Sequence, residues 1–416
     1  MTPRVFERDP ALIVVGEGKS FLRHMGGASA RIERLRPGFT GEPDLIVFPC
    51  SQNLNFIEEA VSLPDELWAK ARAGRAVVVF DSSLEGRPHE AAHTDALHEF
   101  LVRVGVSPAQ AVYLTQDRQY EAHYLAHRSG RDGEPIQVIV YDYWIRRFAN
   151  QYGEAVAAEA VFDKRLAAYR ARPRRRERRF LCLNSQPRPG KVLFLLSLLR
   201  DDLWREGFVS FGGFSTLQKV KGRKLSDVYR DLFNSAGFED LAAELAPLLP
   251  VLDAKGPIVF SPPQAELKAD DVLVYDAPLT EFGRSWFSVV TETELFPRPL
   301  RITEKPFKGL FNFHPLIVLG NPGSLAILRG FGFQTFPELF DESYDEEPDP
   351  RRRFDMVYAQ VRRLCAMDEA SLAKLDDAVS EKVVFNAEFG LTRLYKLYRD
   401  QIDVELVERI MARARG

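Results

Sequence analysis

The chain is poor in cysteine, in long apolar runs and in net charge. Its three cysteines, Cys50, Cys182 and Cys365, are too far apart for a disulfide framework or a paired zinc motif. The longest clean apolar run, residues 192–199, is much shorter than the roughly 20 residues that span a bilayer. A net charge of −3 gives no overall attraction to nucleic acid. We therefore expect neither a membrane-spanning segment nor a nucleic-acid partner.

The first ten residues, MTPRVFERDP, are charged from Arg4 onward and lack the apolar core of a secretory signal peptide. Together with the scarce cysteine, this predicts a cytoplasmic protein. The apolar fraction of 45% and the 30 phenylalanines predict a folded globular chain. At 416 residues, the chain is long enough for two domains, each with its own core.

The first third alternates short β-branched runs with amphipathic helical stretches. Its strand candidates are residues 12–15, 45–48, 76–80, 111–114 and 136–141. This alternation predicts a mostly parallel sheet covered on both faces. The turns after its strands, near residues 16–20, 49–55 and 81–86, are where such sheets place ligands.

A second α/β alternation follows a helical stretch at 152–169 and the basic run RPRRRERR at 172–179. The basic run is either a solvated hinge or a patch for a membrane or phosphate, and we expect the hinge because charge blocks are usually solvated. The second set of strand candidates is 179–184, 208–211, 257–260, 287–291 and 316–320. Residues 214–250 and the segment from Phe354 onward have helical patterns.

Three segments of the second half could bind an anion. In RITEKPF, Thr303 is a good N-cap and Pro306 fits a first turn, so a helix N-terminus with free amides would lie beside Lys305. In LNSQPRPGK, Arg188 and Lys191 follow a strand that ends at Asn184. The third segment, LIVLGNPGS, is a strand, a glycine turn and a helix start, and it contains Gly320 and Ser324. The alternative explanation for these three segments is an ordinary capped helix, or cations that are solvated and bind no ligand.

These segments together resemble the donor domain of fucosyltransferase-like GT-B glycosyltransferases. Over residues 179–365 the chain is similar to bacterial and viral glycosyltransferases that share the pattern TEK…HP…G…GF.TF…DE.YD. The resemblance implies that Glu304 contacts the nucleotide-sugar and Lys305 its phosphates. It implies a phosphate contact from Arg188 or Lys191, and a glutamate equivalent at Glu292.

The resemblance also implies a two-domain organisation. We expect two Rossmann-like domains facing a central cleft. These would be an acceptor domain at 1–170, a basic linker at 171–180, a donor domain at 181–380, and final helices at 381–416 that cross back to the first domain. His314, in the HP pair, would order its turn or contact the donor.

The acceptor half should supply a general base. Glu85 and then Asp81, in DSSLEG after the strand AVVVF, are the candidates, because an inverting transfer needs a group to take the acceptor's proton. The alternative is that both carboxylates cap the next helix.

Two further patterns suggest metal chemistry. His89, Glu90 and His93 form HEAAH, a match to the HExxH motif of zinc peptidases, although Pro88 places it at the very start of a helix. The cluster FDESYD at 340–345 offers carboxylates to a divalent cation, but it lacks histidine, and a loop over the donor or a helix cap is favoured.

The prediction is therefore a metal-independent, inverting glycosyltransferase without a cofactor. It would move a sugar from a nucleotide-sugar to a glycan, a lipid-linked glycan or a protein in the synthesis of bacterial surface polysaccharide or glycoconjugate. We expect it in the cytoplasm, with peripheral contact to the inner membrane face. The alternatives are a zinc-dependent hydrolase that uses HEAAH and a non-catalytic binding protein with a GT-B shape.

Overall fold

The structure is a computed structural model that describes residues 12–14, 32–34, 45–50, 54, 57, 63, 65–84, 86–153, 158–214, 237–258, 260, 280–295 and 299–415. Its strands, in chain order, are β1 Leu12–Val14, β2 Ile32–Arg34, β3 Leu45–Pro49, β4 Val77–Ser82, β5 Ala111–Thr115, β6 Gln137–Val140, β7 Arg178–Cys182, β8 Gly207–Val209, β9 Ser285–Thr291 and β10 Leu316–Leu319. Its α-helices are α1 Asp65–Arg72, α2 Ala91–Val104, α3 Tyr120–Arg128, α4 Tyr143–Gly153, α5 Ala158–Arg170, α6 Pro189–Arg200, α7 Glu239–Leu245, α8 Leu249–Lys255, α9 Thr280–Gly283, α10 Lys305–Phe311, α11 Ser324–Gly330, α12 Pro350–Cys365, α13 Glu369–Glu388, α14 Leu394–Leu397 and α15 Asp403–Met411.

The strands form two parallel sheets. The first has six strands in the order β2-β1-β3-β4-β5-β6, and the second has four in the order β10-β9-β7-β8. Strands β4, β5, β9 and β10 are buried along their whole length. Continuous apolar runs of this kind suit parallel strands covered on both faces, so the α/β class with parallel sheets, expected from the sequence, is confirmed.

Most strand expectations are met within one or two residues, with two exceptions. The short strand β2 was not expected, because three residues are too few for a periodic pattern to stand out. The expected strand at 257–260 is wrong within the described residues, where Ile258 makes only an isolated antiparallel bridge to Phe211. Most of the expected helical segment 214–250 lies outside the described residues, and α7 and α8 belong to its described end.

The chain divides into two compact units. Unit 1 comprises residues 1–151, 298–301 and 394–416, and unit 2 comprises 152–297 and 302–393. The expected boundaries at 170 and 381 therefore differ from these. Helix α5 belongs to unit 2 because Phe162 stacks on Phe313 at 5.8 Å and Arg165 donates to the Phe311 carbonyl at 3.3 Å.

The basic run at 172–179 is largely solvated, as expected, but two of its arginines are bound within unit 2. Arg172 and Arg176 both donate to Asp376 in helix α13, at 2.7 and 3.3 Å. The side chain of Arg176 is only 3% exposed. The run is anchored within unit 2 because two of its cations have a carboxylate acceptor there.

The last helices complete unit 1. Asp403, at the start of α15, accepts hydrogen bonds from the Tyr141 hydroxyl at 2.8 Å and from Arg146 Nε at 2.7 Å. All three side chains are buried, so the network fixes the C-terminal segment beside β6 and α4. Among the described residues, no helix combines the length and the hydropathy that crossing a membrane requires.

Candidate functional site

The carboxyl edge of the four-stranded sheet gathers the polar residues that follow its strands. Asn184, Ser210 and Glu292 follow β7, β8 and β9, and parallel pairing brings them to one edge. The Ser210 hydroxyl donates to the Asn184 carbonyl at 3.1 Å and accepts from its amide at 2.7 Å. The Thr291 hydroxyl donates to Asn184 Oδ1 at 2.5 Å. Asn184 therefore ties three neighbouring strand ends together and is buried within them.

Glu292 is a buried carboxylate with a full set of donors. It accepts from the Thr303 amide at 3.0 Å, from the Thr303 hydroxyl at 2.6 Å and from the Thr293 amide at 3.2 Å. Lys305 Nζ lies 3.3 Å from its Oε2 atom. A buried carboxylate needs several such donors to offset the loss of water. Glu292 thereby positions the segment that carries Lys305.

Helix α10 begins one residue later than the sequence predicts. Glu304, not Thr303, is its N-cap residue, and no side chain caps it. The expected cap, Thr303, is wrong because its hydroxyl and amide are turned to Glu292 instead. Lys305 Nζ donates to the hydroxyls of Thr303 at 2.7 Å and Thr293 at 3.1 Å, and lies 3.6 Å from Glu304. The ammonium group is therefore held in place before any ligand arrives.

Lys191 is the least compensated cation at this edge. It lies in the first turn of α6 and is 4% exposed, and no described residue accepts a hydrogen bond from its ammonium group. Burial, and then the nearby charge of Lys305, lower its pKa to about 7, against the opposing effect of Glu292 and Glu304. An ammonium group in such a position would gain free energy from an incoming anion.

Two more cations lie close by. Arg188 is the N-cap residue of α6, half-buried, and no described residue pairs with its guanidinium. Burial lowers the pKa of Lys308, one turn after Lys305. Lys305 and Lys308 line a cavity of about 30 Å³, enough room for one or two water molecules.

Glu304 is the second carboxylate of the cluster. Burial alone would raise the pKa of its carboxyl, but the charges of Lys305 and Lys308 outweigh burial and lower that pKa. Glu304 is therefore an ionised hydrogen-bond acceptor. Three lysines thus lie near two carboxylates, which leaves positive charge at this edge.

Gly320 follows β10, and the space around it requires glycine. A Cβ atom there would lie 3.1 Å from Cβ and Cγ of Glu292 and 3.2 Å from Ser324 Oγ. The fully buried Arg353 donates to the Gly320 carbonyl at 2.8 Å and also to the carbonyl of Leu295. Gly320 thus lets the turn after β10 approach Glu292, and the hydrogen bond from Arg353 to the Gly320 carbonyl fixes that turn.

The helix start after NPGS is not available to an anion, contrary to the expectation for Ser324. Asp345 accepts from the amides of Leu325 at 2.9 Å and Ala326 at 3.1 Å, the free donors of α11. The Ser324 hydroxyl is buried and donates to the Asn321 carbonyl at 2.7 Å. The protein's own carboxylate therefore occupies the position that was expected for phosphate.

The cluster FDESYD has structural roles of the same kind. Asp341 accepts from the Ser343 amide at 3.0 Å. Glu342 accepts from the Thr335 hydroxyl at 2.9 Å and the Phe336 amide at 2.7 Å. These carboxylates cap turns and helix starts, which is the alternative that the sequence favoured over a metal site. Among the described residues, no group of three or more His, Cys, Asp or Glu side chains is arranged to hold a metal ion.

His314 lies at the opposite, amino edge of the sheet, and its expected contact with the donor is therefore wrong. Its Nδ1 atom is 2.6 Å from the Ser288 hydroxyl and its Nε2 atom is 3.1 Å from the Ser285 carbonyl, near the start of β9. Burial lowers its pKa to about 3, so the imidazole is neutral. It orders the turn before β10, the other role that its sequence context suggested.

Unit 1 holds the candidate bases. Glu85 lies outside the described residues. Asp81 is 1% exposed at the end of β4, where its Oδ1 atom accepts from the Ser83 hydroxyl at 2.6 Å and the Ser83 amide at 3.0 Å. Asp81 thus closes a turn, whereas the next helix, α2, has Glu90 as its N-cap residue and no side-chain cap.

The HEAAH segment does not have the geometry of a zinc helix. Helix α2 begins at Ala91, so His89 precedes the helix and does not share a helical face with His93. His89 Nε2 lies 3.2 Å from the Thr94 hydroxyl, and buried His93 lies 3.5 Å from the Tyr113 hydroxyl. Glu90 pairs with Arg87 at 3.1 Å. The two imidazoles therefore have different partners.

Sequence reasoning missed Lys308, Arg353 and the role of Thr303. Lys308 could have been found from its three-residue spacing to Lys305 on a helix. Arg353 lies within a run of three arginines, a pattern that predicts solvent-exposed side chains. Only the fold shows that Arg353 is 1% exposed.

Comparisons with known proteins assign no family to this chain. No protein-family model matches it, and no solved structure does. One curated relative, the ATP-dependent rRNA helicase SPB4 of Cryptococcus neoformans var. neoformans, is 29% identical over 137 residues. The match covers 29% of this chain and only 18% of that helicase. A similarity this short shows neither the family nor the activity of this chain.

Proposed function

We propose that this protein is a metal-independent glycosyltransferase of the GT-B type that binds a nucleotide-sugar at the carboxyl edge of the sheet in unit 2. The observation that carries the proposal is the group of Lys191, Lys305 and Lys308 around Glu292 and Glu304, with Arg188 at the start of the helix that carries Lys191. Ligands of parallel α/β sheets bind beyond the carboxyl ends of the strands, where this group lies. The sequence resemblance to fucosyltransferase-like enzymes supports the same site.

The diphosphate of the donor matches the charge of this group. Lys191 is buried without an acceptor among the described residues, and Lys305 is preset by two hydroxyls and a carboxylate. A phosphate oxygen that accepts from Lys191 would compensate a buried charge that has no hydrogen-bond acceptor among the described residues. Charge-assisted contacts of this kind contribute about 1.5–3 kcal/mol each.

The two glutamates have different roles in this proposal. Glu292 is committed to Thr303, Thr293 and Lys305, so it is a positioning residue that holds the lysine. Glu304 is ionised and accepts no side-chain donor except the nearby lysine. It is therefore the residue that would accept hydrogen bonds from hydroxyls of the ribose or the sugar.

The reaction would be an inverting displacement at the anomeric carbon. The acceptor oxygen forms the new bond while the bond to the nucleoside diphosphate breaks, and the leaving group takes the electron pair. Lys191, Lys305 and Arg188 would stabilise the charge that develops on it, a role that a metal ion fills elsewhere. A base in unit 1, for which Glu85 remains the candidate, would take the acceptor's proton. The acceptor would be a glycan, a lipid-linked glycan or a protein, in the cytoplasm or at the inner membrane face.

The first experiment is a calorimetric titration with GDP-, UDP-, CMP- and TDP-sugars and with the free nucleotides. For the ligand that binds best, Lys305→Ala should reduce affinity about ten- to a hundredfold, because one charge-assisted contact is lost. Lys374→Ala, which removes an exposed lysine of α13 in the same unit, is the matched control and should bind as the wild type does. Equal affinity for Lys305→Ala and the wild type would remove the main support for a donor site.

Two other functions are less well supported. A non-catalytic binding protein would bind the same nucleotides but would neither transfer nor hydrolyse the sugar, which a turnover assay distinguishes. An ATP-driven activity, suggested by the helicase's name, would require a phosphate loop. The pattern GxxxxGK[ST] does not occur in the chain, since the stretch that approaches it, residues 13–20, has Ile13 in place of the first glycine.

A further inference from the structure

Unit 2 contains a second cavity, at the amino edge of its sheet. The cavity measures about 410 Å³ and lies among the end of α5, the basic segment after it, α9 and the turn before β10. Cavities of about 300–1,000 Å³ commonly hold small molecules. Its lining includes none of Arg188, Lys191, Lys305 and Lys308, although Phe282 also lines the small cavity beside the last two. The cavity is therefore separate from the proposed donor site.

The charged wall of this cavity has more positive than negative groups. Arg172 and Arg176 share one carboxylate, Asp376, at 2.7 and 3.3 Å. The Nη1 atom of Arg176 is buried and has no hydrogen-bond acceptor among the described residues. Burial, and then the neighbouring charge of Arg172, lower the pKa of Arg176. A buried donor on a cation without an acceptor favours the arrival of an anion.

The remaining wall is largely aromatic. Tyr169 and Phe313 are stacked with ring centroids 5.1 Å apart, and the Arg172 guanidinium lies 3.4 Å from the Tyr169 ring centroid. Phe282, on the opposite side of the turn, packs edge-on against His314 at 5.3 Å. Burial keeps that imidazole neutral, with a pKa of about 3, so it adds no charge. Such a surface suits a flat apolar body next to the anionic group.

We propose that this cavity binds a small organic anion, with its carboxylate or phosphate on Arg172 and Arg176 and its ring-shaped apolar body against Tyr169 and Phe313. The anion would share the two guanidinium groups with Asp376. The site does not depend on the nucleotide-binding role of the opposite edge.

The proposal is tested on the full chain with four probes. Phenyl phosphate and benzoate combine an anionic group with a ring, inorganic phosphate has the anionic group alone, and benzyl alcohol has the ring alone. Thermal shift and calorimetry should show saturable binding of phenyl phosphate or benzoate, at least about tenfold tighter than binding of inorganic phosphate or benzyl alcohol.

Two variants locate the binding. Ala168 is exposed and lines the cavity, so Ala168→Phe should fill it and abolish binding of the ring-containing anions. Ala167→Phe adds the same ring at the adjacent exposed position of α5, which does not line the cavity, and should bind as the wild type does. Arg172→Gln should weaken binding about tenfold or more, because it removes one charge-assisted contact.

Three results would overturn the proposal. These are the absence of saturable binding by either ring-containing anion, equal binding of inorganic phosphate and phenyl phosphate, and unchanged binding in Ala168→Phe. None of the three bears on the lysine cluster, because nucleotide titrations of the same variants measure that site independently.

Discussion

The carboxyl edges of the two parallel sheets use charge in opposite ways. In unit 1, three aspartates follow β4, β5 and β6, and each is bound by its own unit. Asp81 accepts from Ser83, Asp117 accepts from the amides of Gln119 and Leu300 at 3.0 and 2.9 Å, and Asp142 pairs with both Nη atoms of Arg118 at 2.9 and 2.8 Å. In unit 2, the corresponding edge has more cations than carboxylates.

This difference in charge indicates that the carboxyl edge of unit 2 is the candidate site for an anionic ligand. Burial raises the pKa values of Asp117 and Asp142, although hydrogen bonds and Arg118 oppose that shift, so the polar groups of unit 1 serve its fold. Burial lowers the pKa of Lys191 to about 7, and no described residue accepts from its ammonium group. An anionic donor is therefore expected at unit 2, whereas the described carboxylates that end the strands of unit 1 would repel it.

The largest expected effect would break this contrast, because it concerns Glu85, the residue of unit 1 that we propose as the general base. Glu85→Gln should slow transfer about 10²-fold or more while leaving nucleotide affinity nearly unchanged, the usual scale for a lost general base. Steady-state rates together with nucleotide titrations separate the two quantities. Unimpaired turnover would exclude Glu85 as the base.

The second expected effect tests the charge of unit 2 directly. Lys191→Met keeps the side chain's approximate volume in its buried position but removes the ammonium group. We expect nucleoside diphosphate affinity to fall about ten- to a hundredfold, because a poorly compensated cation loses its phosphate partner. Calorimetry measures the affinity, and the melting temperature of the free protein checks its fold. Undiminished affinity would show that Lys191 does not face the donor.

The third expected effect is a pH dependence with a defined sign. Lys191 is protonated below a pH of about 7 and loses its proton above it, and an anion binds the protonated form better. Affinity should therefore fall as the pH rises through 7, by up to about tenfold per pH unit. Titrations at several pH values measure this slope, and subtracting the slope of Lys191→Met removes the ligand's own titration. A profile that does not change in that variant would contradict the assignment.

The smallest expected effect is on stability and concerns Asp81, in unit 1. Asp81→Asn keeps an oxygen that can accept from Ser83 but removes the charge, so we expect a loss of stability of about 1 kcal/mol and unchanged nucleotide affinity. Chemical denaturation and calorimetry measure the two quantities. A loss of transfer activity as large as that expected for Glu85→Gln would instead assign the base to Asp81.

The strands and the anion-binding residues of unit 2 were largely predictable. Continuous apolar runs such as VVVF mark buried parallel strands, and polar residues directly after them must lie at one edge. Asn184, Arg188, Lys191 and Lys305 were expected from strand ends and helix starts, and Glu292 from the family resemblance. The structure gathers Asn184, Lys191, Glu292 and Lys305 at the carboxyl edge. What the cluster binds stays a prediction.

The errors have a shared cause. Ser324 and His314 were assigned from local patterns, a glycine turn before a helix and an HP pair, yet Asp345 caps that helix start and the HP turn lies at the other edge. Local sequence cannot show that a distant carboxylate already occupies a helix N-terminus. Nor does it show on which edge a turn lies before the strand direction is known.

The sequence by itself determined the α/β class, most strand positions and the residue types that a phosphate site requires. Those properties follow from burial and from the spacing of residues along the chain. Only the tertiary structure decided which charges are compensated. In the folded chain, Glu292 accepts from Thr303 and pairs with Lys305, whereas Lys191 has no acceptor among the described residues. Arg172, Arg176 and Asp376 come together at a second cavity. The physical reason is that desolvation and ion pairing depend on neighbours in space, which segments distant in the chain, such as those of Arg172 and Asp376, also supply.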